Sequence, residues 1–321
     1  MAEKKPLKEL RVIEVPFDET SPMWQVSLTG EGPDKVVIKS YITRLEGRRE
    51  LHDYKECGVY GVANVPYELF EITSVDTEKP HEEQIQKISE LTSQAIRDGK
   101  CVVMTGGGCS HAIGVAGGLR DAYGTDKTIG LIWLDAHGDI NTPESTKSGL
   151  LGGTPLGTIA GICHGEAYAS WLRAAKLVPT LNNKNIILSD ARDIEPQEIE
   201  NLSKTEMVHV DAPGFVDSAT WQKAVTDLAN RVDVIYLHID ADILDARYTP
   251  GQYTATPGGP SMETVMDNIK FVMQTEKVVA FAVVSAFHKS DHPSNDLGCL
   301  SGLRMLAAGI GNWKHYPAVF K

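Results

Sequence analysis

Three features of the 321-residue chain predict an α/β fold built on parallel strands. Apolar, β-branched runs alternate with amphipathic segments from about residue 80 onward, the signature of strand–helix–strand units with right-handed crossovers. Those runs are apolar on both faces, as strands covered by helices on either side must be. Two of them end in clusters of acidic residues, at the carboxyl ends where open parallel sheets place their ligands.

The elements follow in order. Leu10 to Phe17 reads as the first strand and D-E-T-S-P as its loop; residues 28–34 form a surface turn. Between Lys35 and Phe70, V-V-I and V-Y-G-V suit strands, and R-L-E-G-R-R-E-L-H-D-Y-K is ambiguous. Pro80 to Lys100 is an amphipathic helix with Ile85, Ile88, Leu91 and Ile96 on one side, ended by Gly99. Cys101 to Thr105 is a strand, and G-G-G-C-S opens a helix running to about Tyr123. Thr128 to Asp135 is a strand, whose loop leads to a helix at Pro155. Asn185 to Asp190, Met207 to Val210, Val234 to Asp240 and Val278 to Phe287 complete the strands. Helices begin at Pro196, a suitable first-turn proline, and span Ser218 to Arg231 and Ser261 to Glu276; a last one starts near Ser294. A long loop through T-P-G-G-P precedes the helix at Ser261. With no internal repeat, low-complexity segment or linker, residues 1–321 read as one domain.

Composition narrows the function. Apolar residues make up 42% and charged residues 23%, as in ordinary globular proteins. A net charge of −12 argues against nucleic acid or an anionic membrane surface as the main partner and leaves a small-molecule substrate. No run approaches the ~18 apolar residues of a membrane span. The N-terminal M-A-E-K-K-P-L-K-E-L carries charge with no apolar segment behind it, so no signal peptide is expected. Five scattered cysteines fit a reduced, cytoplasmic chain.

The chemistry concentrates in W-L-D-A-H-G-D-I-N-T-P, Trp133 to Pro143. Continued strand alternation would put Asp135, His137 and Asp139 on one side. A second strand, V-I-Y-L-H-I-D-A-D-I-L-D, ends in Asp240 and Asp242 with the same spacing of two. Four carboxylates and an imidazole in one crevice are costly to bury without cations. They exceed what one divalent ion neutralises, so two ions are expected. His238, two before Asp240, shares its strand face and reads as a catalytic group, a metal-supporting group or a core histidine. Cys109 lies at a helix start, where a thiolate is favoured, although a small buried thiol fits too. His111 faces elsewhere. G-G-G-C-S lacks the ending of a P-loop and the full dinucleotide spacing, so a phosphate-binding module has little support.

G-G-G-C-S-H-A-I-G, D-A-H-G-D-I-N-T-P and D-A-D-I-L-D, over some 140 residues, resemble the arginase/agmatinase (ureohydrolase) family. The resemblance implies a three-layer α/β/α fold around a mostly parallel sheet of about eight strands. It implies two divalent ions, manganese by preference, hydrolysis of a guanidino or amidino carbon–nitrogen bond, and a homo-oligomer, trimeric or hexameric. Carried over by position, Asp135 and Asp240 bridge the ions, Cys109 and Asp139 hold one, and His137 and Asp242 hold the other. Asp139 also relays a proton to the leaving amine. Asn141 and Ser148 match residues that bind a substrate α-carboxylate, and Glu195 matches the acid that meets the α-amino group. Three positions depart from the pattern. Cys109 replaces a histidine ligand, which shifts metal preference toward softer ions. Gly152 replaces a proton-shuttling histidine, and Ser285 stands where a glutamate binds guanidinium. Free arginine is therefore not the expected substrate; an amino acid with a less basic amidine-type end is. The alternative is a catalytically silent homologue serving as a structural or regulatory subunit.

Overall fold

The computed structural model describes residues 5–16, 26–28, 36–38, 47–72, 80–147, 149–286 and 295–317. Its centre is an eight-stranded sheet of β2 (Leu10–Val15), β5 (Tyr67–Glu71), β6 (Cys101–Gly106), β7 (Ile129–Asp135), β8 (Ile186–Asp190), β9 (Val208–Asp211), β10 (Val234–Asp240) and β11 (Val278–Val284). The order across the sheet is β5-β2-β6-β11-β10-β7-β8-β9, and every pairing is parallel. Short antiparallel pairs lie outside it: β1 (Lys5–Pro6) with β12 (His315–Tyr316), and β3 (Val26–Leu28) with β4 (Val36–Ile38).

Alternation along each central strand feeds two separate cores, which makes the molecule three-layered. Val102 and Met104 of β6 enter one core while Cys101 and Val103 enter the other; Leu131 and Trp133 of β7 oppose Ile132 and Leu134 likewise. The first core is covered by α2 (Pro80–Arg97), α3 (Ala112–Tyr123) and α5 (Glu166–Ala174) through Ile85, Ile88 and Trp171. The second is covered by α1 (Gly47–Glu56), α8 (Ser218–Arg231), α9 (Met262–Gln274) and α10 (Asn295–Ile310) through Leu51, Trp221, Ile269 and Leu306. Helices α2 and α3 meet backbone to backbone. A Cβ at Gly114 would lie 2.7 Å from the Ile85 carbonyl oxygen, and one at Gly118 2.5 Å from that of Ser89.

Several expectations are corrected. V-Y-G-V is a 3-10 turn at Val59–Gly61, and the strand of that region is β5 further on. The ambiguous charged segment is helical from Gly47. Short α7 (Ala212–Val216) gave no separate signal; α4 (Pro155–Ile159) is one turn and a half, with α5 a distinct helix after it. Helix α6 (Pro196–Ser203) starts as expected, with Glu195 at its N-cap position and proline inside the first turn. Phe17, Phe287 and residues 29–34 lie outside the described residues, so the predicted ends of the first and last strands and most of the turn at 28–34 do too. Among the described residues, no helix is long and apolar enough to cross a membrane.

Candidate metal centre

β7 and β10 are neighbours in the middle of the sheet, with Leu134 opposite Ile239, so their acidic ends emerge side by side. Beyond Asp135 the chain leaves the strand, and alternation no longer aims the side chains. Asx-turns do so instead. The amide of His137 donates to Asp135 Oδ1 at 2.8 Å, and that of Asp242 to Asp240 Oδ1 at 2.9 Å. Asp139 then takes a left-handed backbone, φ 50°, that an aspartate tolerates better than most residues. Asp135, His137, Asp240 and Asp242 come together as expected, but local turn chemistry produces the convergence, and Asp139 is left outside the ligand groups.

Two groups of ligand atoms result. Cys109 Sγ with oxygens of Asp135 and Asp240 forms one; Asp135, His137 and Asp242 form the other. Within each group the atoms lie no more than 4.8 Å apart, and Asp135 belongs to both. Cys109 Sγ stands 3.0 Å from Asp240 Oδ2 and 3.6 Å from Asp135 Oδ2. His137 Nδ1 is 3.1 Å from Asp242 Oδ2 and 3.3 Å from Asp135 Oδ1. Asp139 belongs to neither group, but it is buried and its Oδ2 has no hydrogen-bond partner among the described residues.

The remaining carboxylate positions are held by donors the motifs did not reveal. Trp133 Nε1 donates to Asp135 Oδ2 at 3.2 Å and the Ala136 amide to Asp242 Oδ1 at 3.2 Å. Gln252 Nε2 donates to Asp240 Oδ1 at 3.0 Å and Thr254 Oγ1 to Asp242 Oδ2 at 2.7 Å. Gln252 and Thr254 come from the loop after β10, which carries no recognisable signature. Their spacing of twelve residues from Asp240 and Asp242 means nothing until the loop folds back.

The electrostatics suit cations. Burial, then the neighbouring Asp242, pushes Asp240 up to about 7. Burial followed by Asp135 raises Asp242 and Asp139. Burial opposes the His137 imidazolium, but the hydrogen bonds of Asp135 and Asp242 outweigh it and hold His137 at about 12. The Cys109 thiol is raised by burial and then by Asp240. A crevice that penalises its own carboxylates and leaves Asp139 Oδ2 unpartnered is one whose donor set fits divalent ions.

The other predicted residues fall as follows. His238 is fully buried, stacked on Trp133 at 3.8 Å between ring centroids; its Nδ1 meets the Tyr236 hydroxyl at 3.1 Å and its Nε2 meets Cys109 Sγ at 3.4 Å. Burial holds it down at about 3. Ser285, in the left-handed region at φ 60°, donates its hydroxyl to Asp240 Oδ2 at 2.6 Å. Asn141 is buried, and its Oδ1 accepts from Ser145 Oγ at 2.9 Å. Glu195 has a buried Oε2 without a partner among the described residues. Gly152 is exposed, and a side chain there would meet nothing within 4 Å. His111 turns away to Gly108 and Gln84. Ser148 lies outside the described residues.

The chain is similar to known proteins over most of its length. Curated relatives include arginases of Eremothecium gossypii, 32% identical over 61% of this chain and 49% of theirs, and of Bacillus caldovelox, 27% identical over 79% and 82%. The match to the Eremothecium protein thus spans about half of that protein's length. Among solved structures, arginase from Bacillus subtilis superposes with a TM-score of 0.76 at 21% identity, covering 95% of this chain and 99% of that one. Formimidoylglutamase from the same species gives 0.68 at 16% identity, covering 97% and 89%. These likenesses establish the three-layer fold. Residues 8–296 match the model of the arginase family, and the chain belongs to that family of hydrolases acting on carbon–nitrogen bonds.

Proposed function

We propose that this protein is a binuclear-metal hydrolase that cleaves a carbon–nitrogen bond of a linear amidine or guanidine, on an amino acid other than free arginine. The observation that carries the reading is the pair of ligand groups sharing Asp135. Cys109, Asp135 and Asp240 would hold one ion and Asp135, His137 and Asp242 the other, with Asp139 beside them. When bound, such ions polarise the reacting carbon–nitrogen group and bring a water's pKa from about 15.7 toward neutrality.

The chain's own residues supply the rest. The unpartnered Asp139 Oδ2 accepts the proton of the attacking water as the new carbon–oxygen bond forms. It then passes that proton to the departing nitrogen as the carbon–nitrogen bond breaks. His238 does not act on substrate in this scheme; it orients the Cys109 sulfur. Buried Asn141 and the orphaned Glu195 Oε2 offer the carboxylate and ammonium ends of an amino acid their partners. Ser285 brings no charge to the reacting end, and its hydroxyl is already spent on Asp240. The Ser285 side chain gives a guanidinium no counter-charge of its own, and burying an unpaired guanidinium costs several kcal/mol. A less basic end, such as a hydroxyguanidino group, is more readily bound in its neutral form; among the structural neighbours, formimidoylglutamase is named for a substrate other than arginine. Sulfur at position 109 favours cobalt, zinc, iron or nickel over manganese.

The test loads the protein separately with manganese and cobalt, counts ions per chain, and screens formimidoyl, hydroxyguanidino and guanidino amino acids for ammonia or urea. Two ions per chain and turnover of a weakly basic amidine in preference to arginine are expected. Two ions bound with no release from any amidine overturns the hydrolase assignment. Brisk arginine turnover overturns the substrate assignment alone.

A further inference from the structure

The T-P-G-G-P loop, Thr256 to Pro260, has no part in the chemistry above, yet it packs around one buried guanidinium. Arg192 directs all of its nitrogens at acceptors. Nη1 meets Asp190 Oδ2 at 3.0 Å and the Ile243 carbonyl at 3.1 Å. Nη2 meets the carbonyls of Asp242 at 3.0 Å, Leu244 at 3.0 Å and Thr256 at 2.8 Å, and Nε meets that of Pro257 at 3.3 Å. The side chain is 9% exposed and its partner Asp190 1%. Gly259 leaves room for it: a Cβ there would sit 2.6 Å from Nη2.

The backbone beside Arg192 is tied elsewhere. Asp190 and Ala191 take φ values of 68° and 47°, which turns the chain at the end of β8. The amide of Ala191 then donates to the Asp135 carbonyl at 3.0 Å, and that of Asp193 to the Ala136 carbonyl at 2.8 Å. Residues 191–193 are thus pinned to the D-A-H-G-D turn, while the Arg192 guanidinium grips the turn of D-A-D-I-L and the loop that delivers Thr254 to Asp242. A planar group with five donors can hold this many carbonyls in a fixed arrangement; an ammonium cannot.

We propose that Arg192 is a positioning residue for the metal centre, and that it sets the half formed by His137 and Asp242 while leaving the half formed by Cys109 and Asp240 largely intact. The guanidinium holds the carbonyls of Asp242, Ile243 and Leu244 just past β10 and those of Thr256 and Pro257 in the loop, while the neighbouring amides of Ala191 and Asp193 hold the carbonyls of Asp135 and Ala136 at the end of β7. Cys109 is carried independently, by the turn after β6. This inference rests on the binuclear reading above.

Cobalt separates the two. A thiolate–cobalt charge-transfer band in the near ultraviolet reports the Cys109 half alone, while titration with metal analysis counts both ions. In Arg192→Lys, the thiolate band should persist and one ion should bind as in the unaltered protein. The second ion should bind about 10- to 100-fold more weakly, the usual effect of losing a group that orients a ligand. Gly259→Ala, which pushes the guanidinium aside while keeping it in the chain, should give the same selective loss and serves if the first variant does not fold. Equal weakening of both ions together, or no weakening of either in folded variants, overturns the inference. An unaltered protein that takes up no cobalt and shows no thiolate band overturns the binuclear reading and this inference with it. Two ions in the unaltered protein and two undiminished ions in the variants overturn this inference alone.

Discussion

Two buried acidic regions of the molecule behave in opposite ways. At the ends of β7 and β10, Asp135, Asp240 and Asp242 are buried together, and each is met by several donors: backbone amides, the Trp133 indole, Gln252, Thr254 and Ser285. On α1, Glu50 is equally buried, but neither of its oxygens has a hydrogen-bond partner among the described residues, nor has the hydroxyl of Tyr54 one helical turn on. Burial, then Asp53, pushes Glu50 up to about 8, so at neutral pH it is a neutral acid in a hydrophobic layer. Burial raises the carboxyl groups of both regions; only at the strand ends do convergent donors fix the direction of the oxygens, as a cation site requires.

The comparison breaks most sharply at Asp139. Asp139→Asn keeps the shape and removes the proton acceptor, so kcat should fall by about 10²–10⁴-fold with any accepted substrate. Unchanged turnover at full metal loading would contradict the proton-relay role.

The next largest effect lies in the other region. Glu50 has a folded pKa of about 8 against 4.5 in the unfolded chain. Between those values the unfolded carboxyl has lost its proton and the folded one retains it. Stability is therefore fully present below about pH 4.5 and drains away as pH rises to about 8, by a few kcal/mol in all. Glu50→Gln should flatten that slope; superimposable melting-temperature profiles from pH 5 to 9 would rule the account out.

Hydroxyl deletions sharpen the contrast further. Thr254→Val removes a donor to Asp242 and should weaken metal binding by about 10- to 100-fold, as measured by competition with a chelator. Tyr54→Phe removes a hydroxyl that bonds nothing among the described residues, so its stability change should be small, within about 1 kcal/mol and in the stabilising direction. A loss of several kcal/mol in Tyr54→Phe would show that the hydroxyl has a partner.

Much of the fold was legible because strand and helix periodicities are local. The runs at Cys101, Thr128 and Val234 became central strands within a residue or two of the expected ends. The candidate ligands were legible for the same reason: D-A-H-G-D and D-A-D are compact. Even there the stated cause was incomplete, since Asx-turns and a left-handed Asp139, not strand alternation, aim the side chains beyond Asp135. What escaped was non-local. Gln252, Thr254 and Arg192 reach the centre only through loop closure, which leaves no periodic trace. V-Y-G-V has the composition of a strand, but Gly58 in a left-handed conformation starts a tight turn there instead. Glu50 lies in the charged segment that was ambiguous in the sequence, and nothing local marks it as fully buried.

The metal centre is also a late event in the life of the chain. Cys109 and Asp240 are 131 positions apart in sequence, and Ala136 and Asp242 are 106 apart. β10 pairs with β7, and β11 fills the place between β10 and β6, so the ligand group of His137 waits for the D-A-D turn and that of Cys109 waits for β11 as well. Contacts at such separations are slow to form. A nascent chain paused before Asp240 would hold Cys109, Asp135 and His137 but no second carboxylate strand. In the proposed centre, metal uptake would report the closing of the sheet and would favour chains that have finished folding over those still assembling.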